Sequence, residues 1–313
     1  MAEGERIAKV IARAGLASRR EAEAWIAAGR VAVNGAPISS PALNITEADQ
    51  VTVDGEPLRA RERTRLFLHH KVRGTVTTNS DPQGRPTIFS TLPKHLPRLI
   101  SIGRLDINTE GLILLTNDGA LARVLELPQT GWLRSYRVRA LGRVTQDALD
   151  RLRKGVTVDG IHYGPIEATL DREQGANVWL TFAIREGKNR EVRNVLGHLG
   201  LKVNRLIRVS FGPFELGDID DGAVEEVETE KMRKALGGEL IAKAGLDLSG
   251  PLLTHEPKRK SWNEQRQAQK GRRFEQRNGE KRGKPEGRET RKFPRRDRSS
   301  GPRPSRPRPK DED

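Results

Sequence analysis

Short apolar segments recur between residues 63 and 240, and the turns and helical patterns between them constrain the fold most strongly. Strands separated by helices and hairpins favour a mixed, largely antiparallel sheet with helices packed on it. The sequence therefore predicts an α+β domain over residues 63–245. The predicted strands are RLFLHHK, GTVTT, GLILLT, SYRVRALG, VWLTFAI and the pair in VNRLIRVSFGPFEL, and the predicted helical segments are PTIFSTLP, DGALARVLELP and NREVRNVLGHLG.

Residues 1–62 have the pattern of a small separate domain. Apolar residues at positions 7, 10, 11 and 14 share one helical face. Ser18-Arg19-Arg20-Glu21 forms a capping box at the start of a second helix, which Gly29 ends. Asn-Gly at 34–35 and Asp-Gly at 54–55 are typical of tight hairpin turns. The order predicted for this domain is helix, helix, hairpin and strand.

The last part of the chain, residues 246–313, carries most of the positive charge. The net charge of the whole chain is +15, and residues 255–313 hold 21 Lys and Arg against 10 Asp and Glu. This segment is rich in Arg, Gly and Pro and poor in apolar residues, so we predict that it is disordered. A basic tail suggests a polyanionic partner, and the alternative is a tail that only keeps the protein soluble.

Several classes of site have no support in the sequence. There is no cysteine, no Gly-rich phosphate loop and no histidine pair at metal-ligand spacing. We therefore predict neither a metal nor a cofactor. No apolar run reaches the length of a membrane span, and the first residues lack the features of a secretory signal. A cytoplasmic protein without membrane contact is the expectation.

The stretch ASRREAEAWIAAGRVAVNGAPI resembles the S4 RNA-binding domain. The resemblance extends over about residues 3–60. In that family a basic helix face lies against structured RNA, which implies that Arg19, Arg20 and Arg30 contact RNA here. Contacts of this kind hold phosphates and position a protein without reading bases. The alternative is an ordinary solvated face.

The stretch GRLDINTEGLILLTNDG (103–119) raises the question of why Asp106 lies at the edge of an apolar strand. From the residues alone, a surface ion pair or a turn explains it. The stretch is, however, similar to the signature of ribosomal pseudouridine synthases of the RsuA/RluB family. Within that family the sequence resembles the large-subunit synthase B type. Three further stretches agree in the family's order, namely 74–93, 127–142 and 185–214.

The resemblance implies roles for particular residues. Asp106 matches the catalytic carboxylate, which acts as a nucleophile or as a base. Arg193 matches the arginine that pairs with this carboxylate and keeps it ionised. Tyr136 matches the active-site tyrosine, which stacks on the target base and serves in proton transfer. The matching RNA contacts are Arg104, which fills the gap left by the displaced base, and the phosphate ligands Lys188 and Arg190.

The function that follows is isomerisation of a uridine in ribosomal RNA to pseudouridine, without cofactor, by a monomer that binds ribosomal RNA or a pre-ribosomal particle. Large-subunit (23S) RNA is favoured over small-subunit (16S) RNA. One alternative is a non-catalytic ribosome-assembly protein, for which a carboxylate facing phosphates would only weaken binding. A glycosidase is the other, and it needs two carboxylates flanking the bond, with Glu110 as the nearby candidate.

Two positions depart from the family pattern. Val72 stands where the family usually has proline, within Lys71-Val72-Arg73-Gly74, and this restores one backbone amide donor. The shape of that loop is therefore open. Glu191 stands where many relatives have glutamine, and beside Arg193 it could compete weakly for the guanidinium.

Overall fold

A computed structural model gives the structure of the chain and describes residues 4–253. Residues 254–313, which make up most of the predicted disordered tail, lie outside the described residues. Two folded parts follow one another along the described chain, an N-terminal domain and a larger α+β domain. No helix within residues 4–253 is long and apolar enough to cross a membrane.

The N-terminal domain packs two helices and short strands around an apolar core of its own, which includes Ile7, Ile11 and Ile26. The predicted capping box is confirmed: the Glu21 amide donates to the Ser18 hydroxyl at 3.1 Å, and the Ser18 amide donates to the Glu21 carboxylate at 2.6 Å. Its elements are β1 (Glu5–Arg6), α1 (Ile7–Arg13), α2 (Arg19–Ala27), β2 (Val31–Val33), β3 (Ala36–Pro37), β4 (Asn44–Ile45), β5 (Val51–Val53) and β6 (Glu56–Pro57).

Both predicted hairpin turns of this domain are confirmed. Asn34 and Gly35 have φ of 51° and 81°, and Asp54 and Gly55 have φ of 52° and 81°. Two consecutive positive φ angles define the turn whose twist matches that of the paired strands. The turns join β2 to β3 and β5 to β6, which with the β2–β5 pair form a four-stranded sheet.

The larger domain confirms the predicted α+β class. Its helices are α3 (Gly119–Glu126), α4 (Gln146–Asp150), α5 (Glu191–His198) and α6 (Thr229–Ala244), with 3₁₀ turns at Ile88–Ser90, Pro128–Thr130 and Arg151–Lys154. Its strands are β7 (Leu66–Lys71), β8 (Ile100–Ile102), β9 (Glu110–Thr116), β10 (Arg134–Leu141), β11 (Val156–Val158), β12 (Ile161–Tyr163), β13 (Ile166–Gln174), β14 (Asn177–Ile184), β15 (Lys202–Phe211), β16 (Phe214–Glu215) and β17 (Val224–Glu226).

The central sheet has the strand order β13-β14-β10-β15-β9-β7-β17. Every pair along this order is antiparallel except β15 with β9, which is parallel. β8 pairs with the end of β9, at Leu114–Thr116, and β15 pairs with its start, at Glu110 and Gly111. Along one edge of β9 the pairing strand therefore changes from β15 to β8. The loop from β8 to β9 lies near this change, and it positions the functional site.

Two apolar cores cover the two faces of the sheet. Alternate residues of β9 point to opposite faces, so Ile113 and Leu115 enter one core while Leu112 and Leu114 enter the other. The first core is covered by α4 and α5, and the second by α3 and α6. Both faces of β9 are buried, which explains its continuous apolar run.

One predicted strand, GTVTT, is wrong. Within it only an isolated bridge between Val76 and Thr87 forms. Its polar groups instead brace a neighbouring loop, since the Gly74 amide donates to the Ile107 carbonyl at 2.8 Å and the Thr77 hydroxyl donates to the Leu105 carbonyl at 2.8 Å. A β-rich composition is overridden here by contacts that are distant in sequence.

The described chain continues to pack on the larger domain beyond residue 245. Leu246 and Leu248 join its second apolar core. The Thr64 amide donates to the Asp247 carbonyl at 2.7 Å, and the Arg63 amide donates to the Pro251 carbonyl at 3.1 Å. These bonds fasten the end of the described chain to the segment that enters β7.

Candidate active site

Asp106 lies in the loop between β8 and β9, and backbone bonds on both sides hold it. The Thr109 amide donates to the Asp106 carbonyl at 2.9 Å and closes a turn. Before it, the backbone of Leu105 is held by the Thr77 hydroxyl. The carboxylate itself is 38% exposed. A fixed backbone and an accessible carboxylate are the properties expected of a residue that contacts a ligand.

A buried lysine supports this loop from below. The Lys71 ammonium has no exposed surface, and it donates to the Thr109 carbonyl at 2.8 Å and to the Val72 carbonyl at 3.2 Å. Burial lowers the pKa of Lys71 to about 8, although the charges of Asp106 and Glu110 oppose that shift. The loop with Val72 in place of proline is thus tied to the Asp106 loop.

Asp106 opens into a cavity of about 550 Å³ at the end of the central sheet. All the residues predicted for the catalytic domain's site lie in its wall. They are Arg104, Asp106, Tyr136, Lys188, Arg190 and Arg193. The structure thus brings together side chains from the β8–β9 loop, from β10 and from the start of α5, while their chemical roles stay predictions.

The arginine in direct contact with Asp106 is Arg190, and not Arg193 as predicted. Arg190 Nη1 lies 3.4 Å from Asp106 Oδ2. Arg193 donates instead to the carbonyls of Asn108, at 3.1 Å, and Val203, at 3.2 Å. Arg193 therefore holds the loop that follows Asp106, and it interacts with the Asp106 carboxylate through charge. Burial lowers the pKa of Arg193.

Backbone conformation explains why Arg190 reaches the carboxylate. Arg190 has φ +50° and ψ 27°, the left-handed region, and immediately precedes α5. This conformation is unusual for a residue with a side chain, and such strain is often found at functional sites. The sequence gives no signal for it, because arginine has no preference for this region.

Tyr136 is buried in the cavity wall and faces Arg208 across the sheet. Tyr136 on β10 pairs with Arg208 on β15, so the two residues lie side by side in the sheet. Arg208 is itself buried, donates from Nε to the Leu112 carbonyl at 2.7 Å and lies 5.0 Å from the ring centre of Phe211. Burial lowers the pKa of Arg208, and the neighbouring Tyr136 opposes that shift.

Sequence reasoning missed Arg208 and its neighbour Arg134. Arg134 is held by the carbonyl of Arg185 at 2.5 Å and lies 4.7 Å from the ring centre of Phe211. The available signal was the presence of arginines within strands that also carry apolar residues, at positions that share a face with those residues. Arg134 shares the face of Tyr136 and Val138, and a cation on such a face is either solvated or part of a site.

Glu191, Glu186 and Lys188 also line the cavity, and they bond to one another or to the backbone rather than to Asp106 or Arg193. Glu191 is buried, which raises its pKa, and it accepts a bond from the Lys188 amide at 2.9 Å rather than from Arg193. Lys188 contacts Glu186 at 2.7 Å and the His162 carbonyl at 2.6 Å. The predicted competition of Glu191 for Arg193 is therefore absent among the described residues.

The glycosidase alternative finds no second carboxylate at Glu110. That side chain is only 13% exposed and is paired with Arg205 at 2.7 Å. Its role is to join β9 to β15 at the sheet. A catalytic pair needs two carboxylates that flank a substrate bond.

The predicted RNA contacts of the N-terminal domain lie apart from this cavity. Arg30 forms a two-bond ion pair with Asp54 at 2.8 and 2.5 Å and covers the Trp25 ring. Arg20 is exposed on α2, and Arg19 lines a second cleft. The three arginines therefore do not form one uniform basic face.

Taken together, the cavity of the larger domain places the accessible carboxylate of Asp106 among several arginines, beside a buried tyrosine. Cations at this density attract a polyanion, and the carboxylate and the phenol provide groups for nucleophilic or acid–base chemistry. The arrangement defines an enzyme that acts on an anionic polymer. Within residues 4–253, no group of three or more His, Asp or Glu could hold a metal ion.

Comparison with known proteins identifies the class. The S4 domain family matches residues 5–51, and the RNA pseudouridylate synthase family matches residues 65–198. An uncharacterized RNA pseudouridine synthase of Rickettsia felis is 43% identical over 74% of this chain and 100% of its own length. The ribosomal large subunit pseudouridine synthase B of Pseudomonas aeruginosa is 41% identical over 73% of this chain and 61% of its own.

A crystal structure of a pseudouridylate synthase agrees, with 28% sequence identity and a TM-score of 0.50 over 74% of this chain and 99% of that one. The synthase B of Haemophilus influenzae is 40% identical over 74% of this chain and 67% of its own. The chain belongs to the RNA pseudouridine synthase family and carries an N-terminal S4 domain. It is an isomerase whose substrate is RNA.

Proposed function

We propose that this enzyme converts a specific uridine of large-subunit ribosomal RNA to pseudouridine, with Asp106 as the catalytic carboxylate. The observation that carries the proposal is the position of Asp106, on a braced loop in the wall of an arginine-lined cavity that also contains Tyr136. The choice of ribosomal RNA rests on relatives named ribosomal large subunit pseudouridine synthase B.

The reaction balances without any co-reactant. The bond from uracil N1 to ribose C1′ breaks, the base turns, and a bond from C5 to C1′ forms. C5 loses its proton, and N1 ends with one. Asp106 attacks the sugar or the ring as a nucleophile, or removes a proton from the sugar as a base, and either step needs one ionised carboxylate.

The cations around Asp106 suit it to this step. Arg190 lies 3.4 Å from the Asp106 carboxylate, and Arg193 interacts with that carboxylate through charge. The target base has to leave its stack before Asp106 can reach it, at a cost of roughly a few kcal/mol. Tyr136 provides an aromatic ring against which the displaced base can stack, and Arg104 is exposed at the rim where the vacated stack would lie.

We also propose that the enzyme works as a monomer in the cytoplasm. The residues proposed for the chemistry, Asp106, Tyr136 and Arg193, line one cavity of the larger domain, which supports a monomeric enzyme. The cytoplasmic location follows from the proposed substrate, ribosomal RNA or a pre-ribosomal particle.

Purified wild type and Asp106→Asn, with separate 23S and 16S ribosomal RNA transcripts, test the proposal. We expect wild type to form pseudouridine at one position of the 23S transcript, and Asp106→Asn to form none while it binds with an unchanged Kd. Glu110→Gln is the matched control, and it should keep activity. Conversion of 16S RNA alone would overturn the choice of substrate, and an active Asp106→Asn would overturn the catalytic assignment.

A further inference from the structure

A second cleft, of about 370 Å³, lies between the S4 domain and the larger domain. From the S4 side it is lined by residues of α1 and of the start of α2. From the other side it is lined by residues of β8, α3 and the segment before β8. Five cations line it, namely Lys9, Arg13, Arg19, Arg98 and Arg123.

The two domains meet around this cleft through charged groups and not through a shared apolar core. The apolar core of the S4 domain contains residues between Ile7 and Leu58 only. Across the cleft, Arg98 and Glu21 lie 3.7 Å apart, and both are partly exposed. The Arg19 guanidinium lies against Gly119, at the start of α3. Polar surfaces that face each other in this way leave a groove open to a charged ligand.

The acids in the wall of the cleft are already engaged. Asp118 accepts bonds from the Ala120 amide, at 2.8 Å, and from Thr64 and Arg61, at 2.8 and 3.1 Å. Glu126 accepts a bond from the Gly103 amide at 2.7 Å. These bonds fix the carboxylates as parts of the protein framework.

The cations are less engaged than the acids. Lys9 and Arg13 share the single carboxylate of Glu5. Arg19 and Arg123 form no ion pair within residues 4–253, and both are exposed. The cleft therefore has an excess of positive charge, which favours a ligand with several negative charges.

The second cleft lies next to the active-site cavity. Glu126 lines both, and its bond to the Gly103 amide joins α3 to the loop that carries Asp106. Strand β8 contributes Ile100 and Ser101 to one cleft and Ile102 to the other. A chain that lies along β8 and α3 thus passes from the second cleft to the cavity at Asp106.

We propose that the second cleft holds the sugar–phosphate backbone of the RNA strand that leads to the target uridine, with phosphates contacted by Arg19, Arg98 and Arg123. The proposal rests on the proposed function only in taking ribosomal RNA as the polymer. It assigns RNA binding to two arginines of the catalytic domain, and it makes the strand a bridge that holds both domains on one substrate. Such contacts fix position and direction, and they do not read the base.

The test uses the full-length double variant Arg98→Gln/Arg123→Gln. Its matched control is Arg151→Gln/Arg153→Gln, which removes the same charge from exposed residues that line neither cleft. Filter binding of deproteinised large-subunit ribosomal RNA between 50 and 300 mM salt gives Kd and its salt dependence. We expect the cleft variant to weaken Kd about 10-fold or more and to lower the salt slope by about 1.4, the value for two contacts on a single strand.

The control should change Kd by less than about 2-fold and should keep the kcat of wild type. A cleft variant with the Kd and salt slope of the control overturns the proposal. Arg98→Lys/Arg123→Lys, which keeps both charges, should restore binding, and this separates lost contacts from misfolding. The binding result stands even if wild type modifies no ribosomal uridine, so the failure of the proposed function is recognised separately.

Discussion

Tyr136 and Arg208 are neighbours on two paired strands, and both line the cavity. Arg208 is buried, and its Nε donates to the Leu112 carbonyl at 2.7 Å, so its guanidinium is held in place beside Tyr136. We therefore expect Arg208 to act as a positioning residue for Tyr136.

A double-mutant cycle tests this. Arg208→Gln alone should lower the single-turnover rate by about 10- to 100-fold, and in a Tyr136→Phe background it should have little further effect, because it acts through the hydroxyl. Arg205→Gln, on the same strand but paired outside the cavity with Glu110, is the control and should stay active. Equal losses in both backgrounds would show that Arg208 does not act through Tyr136.

Lys71 gives a second prediction for a single residue, which concerns how the free energy of unfolding depends on pH. Its pKa is about 8 in the folded protein and about 10.4 in an unfolded chain. At pH values between these two pKa values, Lys71 has lost its proton in the folded state and keeps it in the unfolded state. The contribution of Lys71 to the free energy of unfolding therefore rises with pH in this range. Below pH 8 both states are protonated, and the burial of the charge destabilises the fold.

Urea unfolding of wild type and Lys71→Met at pH 7.5 and 9.5 measures this directly. Because other groups titrate in both proteins alike, their difference isolates Lys71. We expect wild type to gain stability relative to Lys71→Met as pH rises. A difference that does not change with pH would mean that Lys71 is not a destabilised buried cation.

Residue roles were partly accessible to sequence reasoning. Asp106 could be found because a long motif surrounds it, and the cavity of the structure contains it. The contact of Arg190 with Asp106 could not be found, since it depends on a left-handed backbone at Arg190 that sequence does not encode. Arg208 was also missed, because its partner Tyr136 is 72 positions away and only strand pairing brings them together.

At the scale of elements, Gly111 is the position where β9 and β15 approach most closely. It has φ +97°, and a Cβ there would lie 2.8 Å from the Arg208 amide nitrogen and still closer to its carbonyl oxygen. The approach forms the parallel pairing that places Arg208 beside the cavity. Only glycine satisfies both the backbone angle and the space.

Gly111→Ala should therefore lower the free energy of unfolding by at least about 3 kcal/mol, since strain and a backbone clash combine. Gly160→Ala is the matched control: Gly160 has φ +77° with nothing within 4 Å of a Cβ, so strain alone should cost about 1–2 kcal/mol. Chemical denaturation of both variants measures the two values. Equal losses would show that the close approach at Gly111 is unimportant.

Elements with a strong apolar pattern were predicted well, and those without one were not. The strands β7, β9, β10 and β14 and the helices α3 and α5 were all located from their apolar residues. Strand β13 was missed because most of IEATLDREQ is polar and exposed at the edge of the sheet. The strand predicted for GTVTT does not form, because the Gly74 amide and the Thr77 hydroxyl bond to the loop that carries Asp106.

At the scale of the whole molecule, the basic C-terminal segment is the largest concentration of charge. Residues 255–313 carry 21 Lys and Arg against 10 Asp and Glu, and they lie outside the described residues. Each phosphate that a cation neutralises releases counterions, so such a segment should add both affinity and salt dependence. The apolar cores and the paired strands described above consist of residues within 4–253, so we expect these domains to fold without it.

A chain truncated after residue 253 should keep its Tm but bind RNA more weakly, with a flatter dependence of Kd on salt. A full-length chain with residues 255–313 in scrambled order, which preserves composition, is the control and should bind like wild type if charge alone acts. Binding that is unchanged by truncation at every salt concentration would leave the segment as a solubilising tail.

The central claim is that one carboxylate, Asp106, isomerises a uridine of large-subunit ribosomal RNA. Chemical pseudouridine mapping of both ribosomal RNAs, from cells without the protein and from cells rescued with wild type or Asp106→Asn, tests it most directly. The account predicts loss of one large-subunit signal that wild type restores and Asp106→Asn does not. A signal restored by Asp106→Asn, or no signal lost from the large subunit, would contradict it.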